Sequence, residues 1–333
     1  MREESTLLIS LDFELHWGVS DKKTVEDYSD NLLGARKVVP VILNLFEKYE
    51  IHATWGTVGL LFLDNYEEVL EYLPAKKPRY KNEKLSAYKI INDIGSDEKT
   101  DPFHYASKLI DKIKLSPNQE ISTHTFSHYY CLEEGQKSDE FQEDLDLAIK
   151  VAKKKEINIK SIIFPRNQVN KDYTSSLIEK GIEAYRGNQE FWIYKARNQE
   201  DETLFRRAVR LSDSYINVSG YNSYSLKDVK EDYPYNLRAS RFLRPYSRKL
   251  KLLESIRLKR ILNEITYAAK NNLVYHLWWH PHNFGANIHE NIIFLEKILN
   301  HYMKMNKKYG MKSMNMKELA EFLNTERKGS KVK

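Results

Sequence analysis

Four short strand-like runs in this sequence each lead into polar or charged side chains. The runs are residues 7–11, 120–123, 161–164 and 273–279, of which the first, third and fourth are mainly apolar, and they are separated by stretches with helical spacing of apolar residues, such as 32–49. Nearly unbroken apolar runs are typical of strands buried on both faces. Strands that alternate with helices predict an α/β fold with parallel strands. In an α/β barrel the carboxyl ends of such strands meet at one mouth, where these folds place their chemistry.

The first two runs lead into residue types that bind metals. His124 and His128 follow the second run and lie four residues apart. Over one helical turn or a tight loop this spacing lets two ring nitrogens converge on one divalent cation. The first run ends in Asp12 and Glu14, which point to the same side of a strand, so one can bind metal while the other handles a proton. A chance histidine pair and an ordinary solvated strand end are the alternative interpretations.

The other two runs also end in polar side chains. The third stops at Pro165 and is followed by Arg166 and Asn167, and the fourth is followed by His280 and His282. An arginine at a strand end can hold a carboxylate in place. Polar groups that collect at the ends of separate strands favour a shared site over isolated surface residues.

These motifs resemble those of the polysaccharide deacetylases, carbohydrate esterase family 4, which share the nodulation-type chitooligosaccharide deacetylase homology domain. The resemblance covers roughly residues 6–285, in the same order along the chain. Its specific elements are Asp12-Phe13-Glu14 and the His-Thr-x-x-His motif at 124–128. Ala53-Thr54-Trp55-Gly56 is similar to the Ala-Thr-Phe-Phe of the family's second strand. The resemblance implies an incomplete or distorted (β/α)7 barrel with parallel strands, one divalent metal, and removal of acetyl groups from N-acetylated or O-acetylated sugars.

The resemblance also implies a role for each residue of the motifs. His124 and His128 correspond to the metal-binding imidazoles, His280 to the general acid and Asp12 to the catalytic base. Glu14 is then left for the metal, with an exchange of roles between Asp12 and Glu14, or Asp12 filling both, as alternatives. Three further residues at or beside the strand ends are predicted to contact the substrate. They are Trp55, Asn167 and His282.

The motifs depart from the family pattern at three places. Phe13 separates the two carboxylates that are adjacent aspartates in the family, and Pro165 precedes Arg166 instead of following it. Arg166 is still expected to pair with Asp12. The Asp and Trp of the family's fourth motif have no counterpart here, so the residue that orients His280 stays open.

The expected cofactor is one divalent metal, zinc, with cobalt, nickel and manganese as alternatives. A cation with open coordination positions polarises a substrate carbonyl and lowers the pKa of bound water from about 15.7 to near 7. Two histidines and one carboxylate also bind iron in non-haem oxygenases, but those enzymes are built from many short strands. Another metal-dependent amide hydrolase of a small metabolite, or a non-catalytic carbohydrate-binding relative, is the alternative function.

The chain is long enough, at 333 residues, for one large α/β domain. We expect a single catalytic domain at 1–324, with insertions near 64–118 and 187–246, and a basic flexible tail at 325–333.

The sequence also bears on where the protein acts. It shows no signal-peptide pattern and no apolar stretch of about 20 residues, so no transmembrane segment is expected and the predicted location is cytoplasmic. The single cysteine, Cys131, excludes an internal disulfide and is interpreted as a small buried hydrophobe, with a fourth metal ligand as the alternative. Cytoplasmic residence favours a precursor in cell-surface polysaccharide biosynthesis.

The net charge of +6 arises from lysines interspersed with 47 acidic residues, which is not a nucleic-acid-binding pattern. Basic side chains cluster between residues 206 and 251, interleaved with tyrosines. They are Arg206, Arg207, Arg210, Arg238, Arg241, Arg244, Arg248, Lys249 and Lys251. Such a cluster can bind the diphosphate of a nucleotide-linked or lipid-linked glycan, or contact an anionic membrane as a peripheral protein. The alternative is an ordinary solvated surface. The expected partner is a glycan or sugar-conjugate substrate.

Overall fold

The computed structural model describes residues 4–331. Parallel strands form its centre, in the spatial order β6-β5-β4-β3-β2-β1-β8-β7, with a short β9 paired to β1. The strands are β1 (Thr6–Phe13), β2 (Ala53–Thr57), β3 (Gln119–Thr123), β4 (Ser161–Ile163), β5 (Ala184–Arg186), β6 (Tyr235–Asn236), β7 (Arg241–Phe242), β8 (Val274–Trp279) and β9 (Lys312–Met314).

Helices connect the strands and cover the outside of the sheet. They are α1 (Val25–Lys48), α2 (Tyr66–Glu71), α3 (Ser107–Leu115), α4 (Ser138–Lys154), α5 (Thr174–Glu179), α6 (Leu204–Asp213), α7 (Leu226–Lys230), α8 (Glu254–Lys270), α9 (Pro281–Phe284), α10 (Ile288–Tyr309) and α11 (Met316–Lys331). Within the described residues no helix has the length and apolar character needed to cross a membrane.

Strand β1 is buried along its whole length because both faces of the sheet are covered. Leu7, Ile9 and Leu11 pack in the cluster formed with the surrounding helices, whereas Leu8 belongs to a second cluster inside the sheet's curve. Side chains alternate along a strand, so Asp12 shares the inward face of Leu8.

A single bent stretch, residues 235–243, contains β6 and β7 and connects the two edges of the sheet. Its first half bonds to the β5 side, where the Leu237 N–H donates to the Tyr185 carbonyl at 2.9 Å. Its second half bonds to β8, where the Ser240 N–H donates to the His276 carbonyl at 2.8 Å. The parallel strands therefore curl into the incomplete (β/α)7 barrel that the sequence predicted.

Helix α11 packs across the end of the barrel at which the strands begin. The Met316 N–H donates to the Thr54 hydroxyl and the Lys317 N–H to the Glu120 carboxylate, each at 2.9 Å. Apolar residues of the same helix join the cluster inside the barrel. This end of the barrel is therefore filled, and the opposite end, at which the strands finish, carries the site.

The carboxyl-terminal stretch differs from the flexible tail expected at 325–333, because α11 continues to Lys331. The Asn324 side chain donates to Glu183 at 2.6 Å, and the Arg327 guanidinium lies over the Tyr233 ring at 5.8 Å from its centroid. These contacts hold the helix against the barrel beyond its last buried apolar residue. Residues 332–333 lie outside the described part. The single-domain interpretation stays a prediction.

Candidate active site

Three potential metal ligands converge where β1 and β3 end. Oε2 of Glu14 lies 3.2 Å from Nε2 of His124 and 3.0 Å from Nε2 of His128. One ligand atom from each residue lies within 4.8 Å of the others, and all three side chains are buried. The structure thus brings together the three residues that the sequence predicted as ligands.

The hydrogen bonds of these residues fit a cation between them. Nδ1 of His124 lies 2.7 Å from the Ile163 carbonyl oxygen, which can only accept, so that nitrogen carries a proton. With that proton on Nδ1, Nε2 is the atom of His124 that can bind a cation beside the Glu14 carboxylate. Burial lowers the pKa of His128 to about 4, with Glu14 opposing the shift, so this ring is neutral at pH 7. A divalent cation satisfies all three groups.

The two histidines converge through a tight loop and not through a helix. Thr125 and His128 have left-handed backbone conformations, with φ of 63° and 59°. Asp144 of α4 supports the loop from behind and accepts hydrogen bonds from the Phe126 N–H at 2.6 Å and the Ser127 N–H at 3.1 Å. The i, i+4 spacing therefore works here because a buried carboxylate binds the loop backbone.

Glu14 depends on a glycine for its position. A Cβ atom at Gly18 would lie 2.0 Å from Cδ of Glu14, so the carboxyl group occupies space that any other residue type would fill. Burial alone would raise the pKa of Glu14, but the neighbouring His280 imidazole and the hydrogen bonds with His124 and His128 outweigh it and hold that pKa well below its ordinary value. The carboxyl group is therefore ionised, as a metal ligand must be.

Asp12 makes a bidentate ion pair with Arg186, the last residue of β5. The distances are 2.6 Å for Nη1 to Oδ1 and 2.7 Å for Nη2 to Oδ2. Burial would raise the pKa of Asp12, but Arg186 and His280 outweigh it and keep the pKa below its ordinary value. Arg186 also donates to Oδ1 of Asn167 at 2.8 Å, and its guanidinium lies 4.1 Å from the centroid of the Trp278 ring. Asp12 is thus an oriented, ionised carboxylate next to the ligand cluster.

The expected pairing of Arg166 with Asp12 is wrong. Arg166 donates instead to Asp21, and its guanidinium lies 4.2 Å from the centroid of the Tyr130 ring. Arg166 has a left-handed backbone conformation, with φ of 54°, in the turn that follows β4.

Arg186 was missed by the sequence analysis, although a signal for it existed. It is a charged residue at the end of β5, and the other site residues also lie at or just after strand ends. The signal was overlooked because Arg186 lies in no recognised motif. Its neighbour Asn167, predicted to contact substrate, has its side chain at the site through the contact with Arg186.

His280 lies over the two carboxylates. Its Nε2 is 3.6 Å from Oδ2 of Asp12 and 3.6 Å from Oε1 of Glu14, and its side chain is 22% exposed, more than the other imidazoles of the site. Its Nδ1 lies 3.2 Å from the side-chain amide of Asn283, which in turn accepts from the Tyr28 hydroxyl at 3.3 Å. Asn283 therefore orients His280, a role that the sequence left open.

His282 adjoins the cluster, and its predicted contact with the substrate stays a prediction. Its Nε2 is 3.9 Å from Oε1 of Glu14, and its ring stacks on that of His280 with a centroid separation of 5.0 Å. Burial lowers the pKa of His282 to about 3, so it is neutral.

Trp55 is not brought to the site. It pairs in register with Leu11, whose face of the sheet is opposite to that of Asp12. The indole packs against Phe46 of α1 in the outer core, fully buried, and the predicted substrate contact by Trp55 is wrong. Cys131 is buried and lies outside the ligand cluster found among residues 4–331.

Comparisons with known proteins identify solved structures that have a similar fold. No family model matches the sequence, and a search of the curated proteins finds no match. A structure assigned as a polysaccharide deacetylase from Mycobacterium smegmatis superposes with a TM-score of 0.58 at 11% identity, covering 98% of this chain and 93% of that one. One so assigned from Pseudomonas aeruginosa PAO1 gives 0.54 at 9% identity, covering 96% and 91%. Puue allantoinase gives 0.51 at 10% identity, covering 96% and 90%. The chain therefore has the polysaccharide deacetylase fold, as its motifs implied.

Proposed function

We propose that this chain is a metal-dependent hydrolase that removes an acetyl group from an N-acetylated or O-acetylated sugar. The observation that carries the proposal is the buried cluster of Glu14, His124 and His128 beside the ion pair of Asp12 and Arg186. A hydrolase of this type needs a ligand set and a separate ionised base, and the cluster and the adjacent Asp12 carboxylate support these two roles.

The ligands of the metal would be Glu14, His124 and His128, through a carboxylate oxygen and two Nε2 atoms. A bound divalent cation, which we propose to be zinc with cobalt, nickel or manganese as alternatives, polarises the acyl carbonyl and lowers the pKa of water. The Ile163 carbonyl keeps the His124 ring in the tautomer that leaves Nε2 free to bind.

The base in this proposal is Asp12. Its carboxylate accepts the proton of the attacking water, and Arg186 keeps it ionised and oriented through two charge-assisted hydrogen bonds. Glu14 contacts both ligand imidazoles, whereas Asp12 is not part of that cluster, and this supports assigning the metal to Glu14 and the proton to Asp12.

His280 is the proposed general acid. Its Nε2 reaches the space above both carboxylates from the more open side of the site, and it donates a proton to the sugar nitrogen or oxygen as the bond to the acyl carbon breaks. The products are acetate and the free amine or hydroxyl of the sugar. We propose that the substrate is a precursor of a cell-surface polysaccharide, and the cytoplasmic location expected from the sequence is part of this proposal.

Metal content and acetate release from a panel of N-acetylated and O-acetylated sugars test the proposal. We expect about one metal ion per chain, acetate as the product, and loss of both in His124→Gln. The matched control is His289→Gln, an exposed histidine on α10.

Three outcomes would contradict the proposal in different ways. Iron with oxygen uptake would identify an oxygenase. Metal with hydrolysis of other amides, but of no acetylated sugar, would favour a small-metabolite hydrolase, a reaction type for which the allantoinase of the same fold is a guide. Sugar binding without any turnover would favour a non-catalytic relative.

A further inference from the structure

A cavity of about 320 Å³ opens directly beside Arg186. Its inner wall includes Asn167, which accepts a hydrogen bond from Arg186, and Trp278, whose ring lies beneath the Arg186 guanidinium. Phe242, also in this wall, has its ring 5.9 Å from that of His280 between centroids. A group bound in the cavity would therefore adjoin the residues that act on the acyl bond.

The outer wall of this cavity is cationic. Six positively charged residues line it against one carboxylate, that of Glu202. They are Arg166, Lys195, Arg197, Arg210, Arg241 and Arg244. Arg166 pairs with Asp21, Arg210 with Glu202, and Arg241 with Asp213 and Glu264.

The other three cations have no carboxylate partner among residues 4–331. Arg197, Arg244 and Lys195 line the cavity without an ion pair. Burial lowers the pKa of Arg244, and the nearby guanidiniums of Arg257 and Arg210 add to this effect. Cations gathered without counter-charges raise the electrostatic energy of the empty cavity, and a bound anion would lower it.

The inner wall also has an unused hydrogen-bond donor. The indole Nε1 of Trp278 is buried and has no acceptor in the described part of the chain. A buried N–H without a partner is costly and points to an acceptor supplied by a ligand. Trp278 lines the cavity and also contacts Arg186 and His280, with its ring centroid 5.6 Å from that of His280, so this residue adjoins both the cavity and the site.

From this geometry we infer that the cavity binds the phosphate of a phosphate-linked sugar whose acetyl group lies at the Glu14 cluster. The inference rests on the proposed function. Arginine forks match phosphate oxygens, and a phosphate or diphosphate carries enough charge to pair with Arg197 and Arg244 together. The rings of Phe242 and Trp278 offer apolar faces for the sugar between the two ends. A neutral glycan would leave these guanidiniums unpaired.

Binding of inorganic phosphate tests the cavity apart from catalysis. Calorimetry on the full chain, treated with a chelator so that no phosphate binds to metal, compares the wild type with Arg244→Gln and Arg197→Gln. Loss of one charged hydrogen-bonding partner is expected to weaken binding at least about tenfold. The control is Lys251→Gln, an exposed lysine outside the cavity wall, with unchanged affinity. The two arginines lie on different segments, so a folding defect in one variant leaves the other informative.

Acetate release then tests the substrate class. We expect kcat/KM for an N-acetylhexosamine 1-phosphate to exceed that for the unphosphorylated sugar at least about tenfold, and the ratio to fall toward one in Arg244→Gln. Nucleoside-diphosphate and lipid-diphosphate esters of the same sugar distinguish the two sources of the phosphate, and faster turnover of either supports the inference.

The anion site and the proposed deacetylase function can be contradicted independently of each other. Equal kcat/KM for the neutral and phosphorylated sugars, or phosphate affinity unchanged in both arginine variants, overturns the anion site while acetate release still supports the deacetylase. Arginine-dependent phosphate binding without acetate release supports the anion site and overturns the proposed function.

Discussion

Arg186 binds Asp12 through both terminal nitrogens of its guanidinium, although 174 residues separate the two along the chain. Both side chains are almost inaccessible, at 0% and 3% exposure. A buried bidentate pair of this kind fixes the direction of the carboxylate and keeps it charged. It couples the carboxylate at the end of β1 to the end of β5, on the far side of β2, β3 and β4 in the sheet.

Removing one partner of this pair should cost more stability than removing both. Arg186→Gln leaves Asp12 buried without its counter-charge, which is expected to lower the free energy of unfolding by about 3–5 kcal/mol. The double variant Asp12→Asn/Arg186→Gln should recover part of that loss because no uncompensated charge remains. Urea unfolding of the wild type and the variants measures these free energies of unfolding. Arg248→Gln, at an exposed position, is the control, and an equal loss in both arginine variants would contradict the assignment.

Loss of His280 should reduce turnover without releasing the metal. Removal of a general acid lowers kcat about 10²- to 10⁴-fold, and His280→Gln is expected to fall in this range with unchanged metal content. Asn283→Ala should give a smaller loss, since it removes only the partner of Nδ1. Steady-state kinetics with metal analysis checks both variants. Full activity in His280→Gln would rule out its role as acid.

A methyl group at Gly18 should separate metal affinity from stability. Gly18→Ala places a carbon 2.0 Å from Cδ of Glu14 and must displace that carboxylate, so we expect metal affinity to fall at least about tenfold. Gly310→Ala is the matched control, because its methyl meets nothing within 4 Å but its backbone has φ of 73°. This control should lose about 1 kcal/mol of stability with metal affinity intact. Chelator competition measures metal affinity and thermal unfolding measures stability. Equal metal affinity in both variants would contradict the prediction.

Metal removal should lower the thermal stability of the wild type. Ligands that bind only the folded chain stabilise it in proportion to the logarithm of their free concentration. We expect Tm to rise with added metal for the wild type and to be unaffected by it in Glu14→Gln, which lacks the carboxylate shared by both imidazoles. Scanning calorimetry over a metal titration makes the measurement. A parallel rise in Tm for Glu14→Gln would place the metal elsewhere.

Acid should destabilise the fold through Asp213, the last residue of α6. Burial opposes its ionisation, but Arg241 and the hydrogen bond from Tyr194 outweigh burial and lower the pKa of Asp213 to about 2. A folded-state pKa below the unfolded value near 3.9 means that the stabilisation is present above about pH 4 and is lost as pH falls toward 2. The total is about 2.6 kcal/mol. Urea midpoints between pH 6 and pH 3 should fall less steeply in Asp213→Asn than in the wild type. Asp30→Asn, at an exposed position of α1, should keep the wild-type slope.

The parts of the site that could be predicted are those whose signal is local. The alternation of a strand places Asp12 and Glu14 on one face, and the spacing of His124 and His128 brings two imidazoles together whenever the backbone turns tightly. These relations involve residues within a few positions of each other, so one sequence is enough to recognise them.

Other parts were missed because they depend on which segments meet. Nothing near Arg166 in sequence shows that its backbone turns the guanidinium toward Asp21, and nothing near Arg186 shows that β5 presents it to Asp12. Trp55 was misplaced for a related reason, since the register with β1 decides which face of β2 points into the barrel.

The sequence by itself determined the parallel α/β class and pointed to Glu14, His124 and His128 as candidate metal ligands, because burial and periodicity can be recognised from consecutive residues. Only the tertiary structure decided that Arg186 serves Asp12, that Asn283 orients His280, and that unpaired arginines gather beside Trp278. Each of these is a contact between distant segments, and the curl of the sheet, not the order of residues along any one strand, sets which side chains share a pocket.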